Sequence, residues 1–385
     1  MMEELFERTV EIKNSHVRVV ELPFNEPVHL PFAKIETRPS VWVEIEADID
    51  TVTSRGAAEG SSLPVQIPLY DDYSGNLLDN TTRIIDEIGT SKKDLAGIIE
   101  TIRTIDLNGN FATARMSVEA ALIDTIARSD NTSVASYLDG KPSQHDRRIP
   151  YGKSIAESSR DKILEAAEEA MRNGAKRLKF KLSPTNFNAL YPALKEVMNH
   201  YPDVDCMVDA NGMFDPEDPE HICMLGLIDD LHLLTIEEPV SRAGKAKGLV
   251  AHRALASAMK FTTPITIDDA VKSSQDARFA IDEQLAQVVN LKPGRVGSFI
   301  ECVRIAEYAK TRDAEVMVGG MFEATPGRMM TLSLAAYCLA QGFRIPGDVS
   351  LPQERLSADL TSPVLRLDEN SNVVFKPIAG WGYEL

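Results

Sequence analysis

Two hydrophobic rhythms divide the chain near residue 146. Before that point, VRVVELPF and VWVEIEAD are β-branched runs that predict strands, separated by a stretch punctuated by prolines from Pro23 to Pro39. That stretch, about 23–39, is expected to be a loop between antiparallel strands, and long loops of this kind often carry function. Helical spacing follows over residues 80–135. The segment FATARMSVEAALIDTIARS repeats Ala114, Val118, Ala121, Leu122 and Ile126 on one face. Residues 1–145 therefore read as an α+β unit.

From Arg148 onward, short apolar runs alternate with helical stretches. IPYGKSIA precedes RDKILEAAEEAMRNG, whose helix is expected to stop at Gly174. RLKFKLS, DCMVDAN, LLTIEEPV, PITIDDAV, QVVNLKPGRVG and EVMVGGMFE follow, each ahead of a helical pattern, and RIPGDVS closes the series. Eight strand candidates in strict alternation with helices predict a parallel sheet closed into a (β/α)8-type barrel over 146–350. No GxGxxG motif follows the first strand, which disfavours a dinucleotide site. Residues 351–385 have no barrel repeat left to join. They are expected to return to the first unit and complete it as a capping domain.

Length agrees with this division: 385 residues accommodate a barrel of roughly 250 and a second unit. A charged fraction of 26% beside 43% hydrophobic residues describes a globular chain. The net charge of −17 offers no basic stripe for phosphates, so nucleic acid is not an expected partner. An anionic substrate would need local positive charge, which a metal and lysines would supply. The four cysteines, Cys206, Cys223, Cys302 and Cys338, form no CxxC pair and read as free thiols. The acidic start MMEELFERTVEIK lacks the apolar core of a signal peptide, and no apolar run reaches membrane-spanning length. A cytoplasmic location without membrane association is expected.

The chemistry lies at the strand ends. Asp209, the pair Glu237-Glu238 and the pair Asp268-Asp269 end three successive runs about one βα unit apart. A single acid there is usually a cap or turn residue. Three in succession would repel one another in a partly buried mouth unless a hard cation relieved them. Mg²⁺ fits, with Mn²⁺ as the alternative ion, because the donors are all oxygens and no HxH or HExxH set suggests zinc. Alternation lets only one member of each adjacent pair face the mouth, and periodicity does not choose which. Asn211 shares a face with Asp209. Lys179 and Lys181 share a face of a buried strand, and Lys292 lies four strands further round. Amines on opposite sides of a bound substrate suit removal of a proton α to a carboxylate, with a neighbouring cation tuning the base.

Taken together, these motifs resemble the enolase superfamily, in particular its muconate-lactonizing subgroup. Ala114–Ser129 is similar to the helix that leads into that family's barrel. Lys179-Phe180-Lys181 resembles its KxK, and Asp209-Ala210-Asn211 its Asp-x-Asn. Ile236-Glu237-Glu238-Pro239 and Ile267-Asp268-Asp269 are similar to its fourth and fifth strand motifs. Leu291 to Gly297 (LKPGRVG), and Gly319-Gly320-Met321 with Glu323 and Gly327-Arg328, resemble o-succinylbenzoate synthases and N-succinylamino acid racemases. The resemblance implies Asp209, Glu237 and Asp268 as Mg²⁺ ligands and Lys181 and Lys292 as the acid/base pair. It implies that Lys179 tunes Lys181, that Asp269 lies close to Lys292, and that 23–39 is a lid. Asn211 and Glu238 would be supporting residues. Ser154 and Lys153 on the first barrel strand, with Gly320, Met321 and Glu323, are candidate substrate contacts. Two segments depart from the family pattern: Glu323-Ala324-Thr325-Pro326-Gly327-Arg328 and Gly56-Ala57-Ala58-Glu59-Gly60.

The expected activity is therefore Mg²⁺-dependent proton abstraction from a small carboxylate. It would serve racemisation or epimerisation of an N-acyl amino acid, or syn-dehydration to o-succinylbenzoate. Alternatives are a muconate-type cycloisomerase or a dipeptide epimerase. A dipeptide epimerase typically carries Asp-x-Asp at the seventh or eighth strand; none appears around VMVGGMFE, and Asp348 alone stands on the eighth. A non-catalytic binding barrel is the contrasting class, and retention of all five chemical residues counts against it. Relatives are often oligomers, so a homo-oligomer is expected.

Overall fold

The computed structural model describes residues 2–30, 33–64, 74–105, 107, 111–140, 145–345, 347–362 and 364–385. Strand β1 (Thr9–Leu30) pairs antiparallel with β2 (Ala33–Ile49), which pairs with β3 (Val52–Ser61); β4 (Lys93–Asp94) adds to the other edge of β1. Helices α1 (Met2–Glu7), α2 (Leu77–Ile88), α3 (Leu95–Thr104), α4 (Ala112–Ser129) and α5 (Val134–Asp139) accompany this sheet.

The expected 23–39 loop is mostly strand. Val28 pairs with Ile35 and Pro23 with Thr37, with a register irregularity between Pro23 and Val28. Its tip, residues 31 and 32, lies outside the described residues. Prolines punctuate this stretch without ending it, because a bulge tolerates a missing N–H. The segment is thus a projecting hairpin.

Helix α4 is buried on nearly every side, from Ala112 to Ala127. It is sandwiched between the cap sheet and the barrel, which explains its small Ala, Ser and Thr residues. Gly56 and Gly60 of β3 are required for this approach. A Cβ on Gly56 would overlap the Thr125 backbone, and one on Gly60 would lie 2.9 Å from Ser117 Cβ.

The run IPYGKSIA is two strands. β5 (Arg147–Pro150) leaves the barrel to pair with the C-terminal strands, and β6 (Gly152–Ile155) begins the parallel sheet. That sheet continues in chain order through β7 (Arg177–Lys181), β8 (Asp205–Asp209), β9 (Ile236–Glu237), β10 (Ile265–Ile267), β11 (Val288–Leu291) and β12 (Glu315–Val318). Between the strands run α6 (Arg160–Arg172), α7 (Phe187–His200), α8 (Pro219–Asp229), α9 (Gly248–Ala258), α10 (Ser274–Asp282), α11 (Pro293–Val296) and α12 (Phe299–Thr311); α13 (Thr325–Ala340) follows β12. The eighth expected strand is a bonded segment instead. Asp348 N donates to Val318 O at 2.8 Å, and Gly152 N donates to Val349 O at 3.3 Å. One bond to each neighbour closes the ring but is too short a ladder to count as a strand.

Past the barrel, β13 (Arg366–Leu367) and β14 (Asn372–Phe375) pair with each other and with β5. The chain then crosses α4, where Trp381 Nε1 donates to Ala120 O at 3.0 Å and its backbone N to Asp124 Oδ1 at 2.7 Å. Among the described residues, no helix is long and apolar enough to cross a membrane.

Candidate active site

The mouth is built by strand register. Lys181, Asp209 and Glu237 are direct partners across β7, β8 and β9, so their side chains rise on one face in a row. Thr266 of β10 pairs with Glu237, which sets Asp268 one layer higher on that face. Leu178 and Phe180 are fully buried toward the helices. The strand RLKFK thereby turns Arg177, Lys179 and Lys181 inward together.

The buried charges interlock. Lys179 Nζ lies 3.0 Å from Glu237 Oε2 and 3.5 Å from Asp209 Oδ2, and it also bonds Asp348. Lys181 Nζ donates to Asp209 Oδ2 at 2.6 Å and to Asn211 Oδ1 at 2.9 Å. Across the mouth, Lys292 Nζ donates to Asp268 Oδ2 at 2.6 Å, while Arg295 bonds Asp268 Oδ1. Asn290 Nδ2 donates to Glu237 Oε1 at 2.7 Å. Gly319 keeps the path of Lys292 open, since a Cβ there would lie 2.7 Å from Lys292 Cε. Exposure separates the lysines: the side chain of Lys179 is 5% exposed and that of Lys181 35%.

Electrostatics follow from this packing. Burial pushes Glu237 up to about 8, and the neighbouring carboxylates Asp209, Asp268 and Asp348 push it further than Lys179 can pull it back. Burial also raises Asp268, against the pull of Lys292. Asp209 is buried too, but Lys181 and Lys179 outweigh desolvation and hold it below the usual carboxylate range. Burial opposes the charge on Lys179, yet Asp348, Glu237 and Asp209 hold its proton more tightly than usual.

These oxygens fit a hard divalent cation by chemistry: three carboxylates stand buried at adjacent strand ends, where desolvation first and mutual repulsion second disfavour the charge on Glu237. Among the described residues they are not gathered around one point as a ready cage, because lysines hold them apart. Binding of a cation would have to exchange those lysine contacts.

The adjacent acids have other duties. Glu238 sits at φ +40 and accepts from Asp268 N at 2.6 Å and Ala270 N at 3.1 Å. It therefore braces the strand end that carries Asp268. Asp269 is paired with Arg242, which also donates to Asn211 O at 3.2 Å. Buried His252 packs beneath Glu238 at 3.6 Å.

The candidate substrate contacts divide. Ser154 is in register with Lys179 and shares its inward face. Lys153 is turned to the other face and donates to Glu354 Oε2 at 2.6 Å, so its amine is not among the mouth's inward groups. Glu323 accepts from Met321 N at 2.6 Å and pairs with Arg328 at 3.2 Å, which makes it the brace of its own loop. Gly320 packs under that pair, where a Cβ would lie 2.7 Å from Glu323 Oε2. Met321 lies over Gly294, beyond the Lys292 strand end.

Several mouth residues were not read from the sequence as site residues. Arg177 and Asn290 stand two residues before Lys179 and Lys292, and strict alternation would have found both. The sequence places Asp348 on the eighth strand, but its pairing with Lys179 and Arg177 depends on ring closure. Arg177 Nη2 lies 3.0 Å from Asp348 Oδ1.

Known proteins resemble this chain in sequence and fold. Residues 162–385 match the family described as Enolase C-terminal domain-like. The chain is 31% identical to o-succinylbenzoate synthase of Bacillus subtilis (strain 168) over 272 residues, covering 71% of this chain and 68% of that protein. It is 26% identical to N-succinylamino acid racemase of an Amycolatopsis species, covering 92% of this chain and 90% of that one. A solved enolase-superfamily structure from Listeria innocua superposes with a TM-score of 0.80 at 24% identity, covering 99% of this chain and 94% of its own.

Proposed function

The chain belongs to the Enolase C-terminal domain-like family of enolase-superfamily enzymes, and from that premise we propose that it removes the proton α to a carboxylate using Lys181 and Lys292. The observation that carries this reading is the placement of the two amines. Each is bonded at 2.6 Å to a different member of one carboxylate cluster, from opposite strands of the ring. Asp209, Glu237 and Asp268 would hold a divalent cation, Mg²⁺ or Mn²⁺. When bound, it supplies positive charge to the substrate's carboxylate oxygens.

One lysine enters as the free amine and the other as ammonium. The amine takes the α-proton, and the C–H electron pair moves into the carboxylate to give an enediolate. If the opposite ammonium then delivers a proton to the other face, the centre is inverted. If the first lysine hands its proton to a β-hydroxyl on the same face, water leaves and an alkene forms. The two outcomes share one half-reaction and correspond to the named activities of the two relatives, racemase and o-succinylbenzoate synthase. A dipeptide's free ammonium would need an unengaged carboxylate on the eighth segment, and Asp348 is held by Lys179 and Arg177. An N-acyl substrate suits the site better.

The test is proton NMR in D₂O with Mg²⁺ and N-succinyl and N-acetyl amino acids. Loss of the α-proton signal that requires metal and both lysines supports the reading. Absence of exchange on every compound, with metal shown to bind, would overturn it.

A further inference from the structure

A cavity of about 460 Å³ lies at the seam where the cap meets the barrel, within the size range of small-ligand sites. Among the described residues, its lining shares none with the mouth. The cap supplies Phe6 of α1, Ala96, Ile99 and Ile102 of α3, and Arg115 of α4. The barrel supplies Lys272 to Gln275 at the start of α10 and Val296 to Ser298 ahead of α12. The opening is not general looseness of the seam. Beside it the two units touch closely, since a Cβ on Gly297 would lie 3.1 Å from Ala112 Cα.

Charge in the cavity runs against that of the chain. The whole sequence has 58 acids to 41 lysines and arginines, yet Arg103, Arg115, Lys272 and Arg304 here face Glu100, Glu119 and Glu301. The acids are already engaged. Glu100 pairs with Arg103 at 2.9 Å and Glu301 with Arg304 at 2.5 Å. Glu119 is buried against Ile300 N and Ser298 Oγ, and burial disfavours its charge. Nearby Asp276 serves the start of α10, accepting from Lys272 N at 3.0 Å and Ser273 Oγ at 2.9 Å. Arg115 is spent on the end of α3, where its Nη2 donates to Ile105 O at 2.7 Å. That leaves Lys272, half-buried, whose ammonium makes no hydrogen bond or ion pair among the described residues. Around it the wall is apolar: Phe6, Ile99, Ile102 and Val296, with Arg304 over the Phe6 ring at 5.5 Å. One open ammonium beside such a wall matches an anion with an apolar arm. A phosphate dianion would call for more than one open donor.

We propose that the seam cavity is a second binding site, which takes a small amphipathic carboxylate. Its charge rests on Lys272 and its apolar arm lies against Phe6, Ile99 and Val296. The site is separate from the mouth, so the inference does not depend on the α-proton chemistry.

The experiment is calorimetric titration of the Mg²⁺-loaded protein with octanoate, 4-phenylbutyrate and the neutral 4-phenylbutanol. The proteins are wild type, Lys272→Gln, Lys272→Arg and Ala96→Trp. Wild type is expected to bind both carboxylates saturably and more tightly than the alcohol. Lys272→Gln is expected to weaken the carboxylates by about 10-fold, the scale of a charge-assisted bond at a half-buried amine, and to leave the alcohol unchanged. Lys272→Arg keeps the charge and should retain most of the affinity. Ala96 is an exposed residue of α3 that lines the cavity, so a tryptophan there fills the space and should abolish binding of all three compounds. Neither position is in the core, and thermal melts of each variant check that it folds. Absence of saturable carboxylate binding by wild type overturns the inference. So does carboxylate binding that neither Lys272→Gln nor Ala96→Trp moves, which would put the anion on the metal at the mouth. An equal loss of carboxylates and alcohol in Lys272→Gln overturns it too, because Lys272 would then be part of the wall and not the partner of the anion.

Discussion

Buried carboxylates occupy two regions of this molecule, and they are satisfied in opposite ways. At the mouth, Asp209, Glu237 and Asp268 are bonded mainly to lysines and arginine. At the joint between cap and barrel, the hydrogen bonds seen to Glu59 and Glu119 among the described residues come from backbone N–H groups and serine hydroxyls. Glu59 accepts from Ala324 N and Gly327 N at 3.0 Å and from Ser40 and Ser61 hydroxyls at 2.8 Å. Glu119 of α4 accepts from Ile300 N at 3.0 Å and Ser298 Oγ at 2.7 Å, capping α12. Side-chain cations can be traded for a metal or a substrate, because their flexible stems move. Backbone N–H groups at a helix start cannot move without the fold, so carboxylates bound to them serve as fasteners. The departure segment around Glu59 gains a meaning here: it seats the start of α13 against the cap.

The sharpest test of this contrast replaces a mouth lysine. Lys181→Ala or Lys292→Ala is expected to slow α-proton exchange by about 10³-fold or more, the scale of a lost acid/base group. Urea midpoints should move little, because these amines are not fasteners. A collapse of stability in either variant would erase the distinction between the regions.

Glu59→Ala should do the opposite. It strands two backbone donors and two hydroxyls in a buried place, at a cost of about 3 kcal/mol in chemical denaturation. Because Glu59 seats the loop after β12, the variant tests whether the fastener also holds the mouth.

Glu119 sharpens the comparison through pH. Burial pushes its carboxyl up to about 7. In the unfolded chain it ionises near its ordinary value of 4.5, so between about 4.5 and 7 the unfolded state binds fewer protons than the folded one. Stability from this group is therefore present at low pH and lost as pH rises through that window. Glu119→Gln should gain on the wild type by up to about 3 kcal/mol between pH 4.5 and pH 8. A constant difference between the two proteins would show that Glu119 does not keep its proton.

The smallest effect is expected at Lys153. Its pair with Glu354 is partly exposed, with side chains 35% and 20% accessible. Lys153→Ala should change stability by less than about 1 kcal/mol. A larger loss would mean that the rim is fastened like the joint.

Much of the fold was legible because periodicity survives in local sequence. The alternation RLKFK and the run DCMVDAN each declare a buried strand with polar tips, and helical stretches between them imply parallel order. The failures have equally local causes. Prolines at 23, 27, 31 and 39 suggested a loop, yet the pairing of Val28 with Ile35 keeps the hairpin extended. RIPGDVS looks like the other runs, but its described residues make one ladder bond to each neighbour. Tyr151 divides IPYGKSIA because Arg147–Pro150 finds its partner in Asn372–Phe375, more than two hundred residues away.

By itself, the sequence determined which residue types reach the mouth and on which strands, since a period of two assigns each inward face from its neighbours. It therefore marks the lysines and three acidic positions. Tertiary structure decided the rest: which acid of each adjacent pair faces inward, that Asp348 closes on Lys179, and that Lys153 turns to Glu354. Each of those depends on distances between segments remote in the chain. Register across strands and closure of the ring set such distances, and no local pattern encodes them.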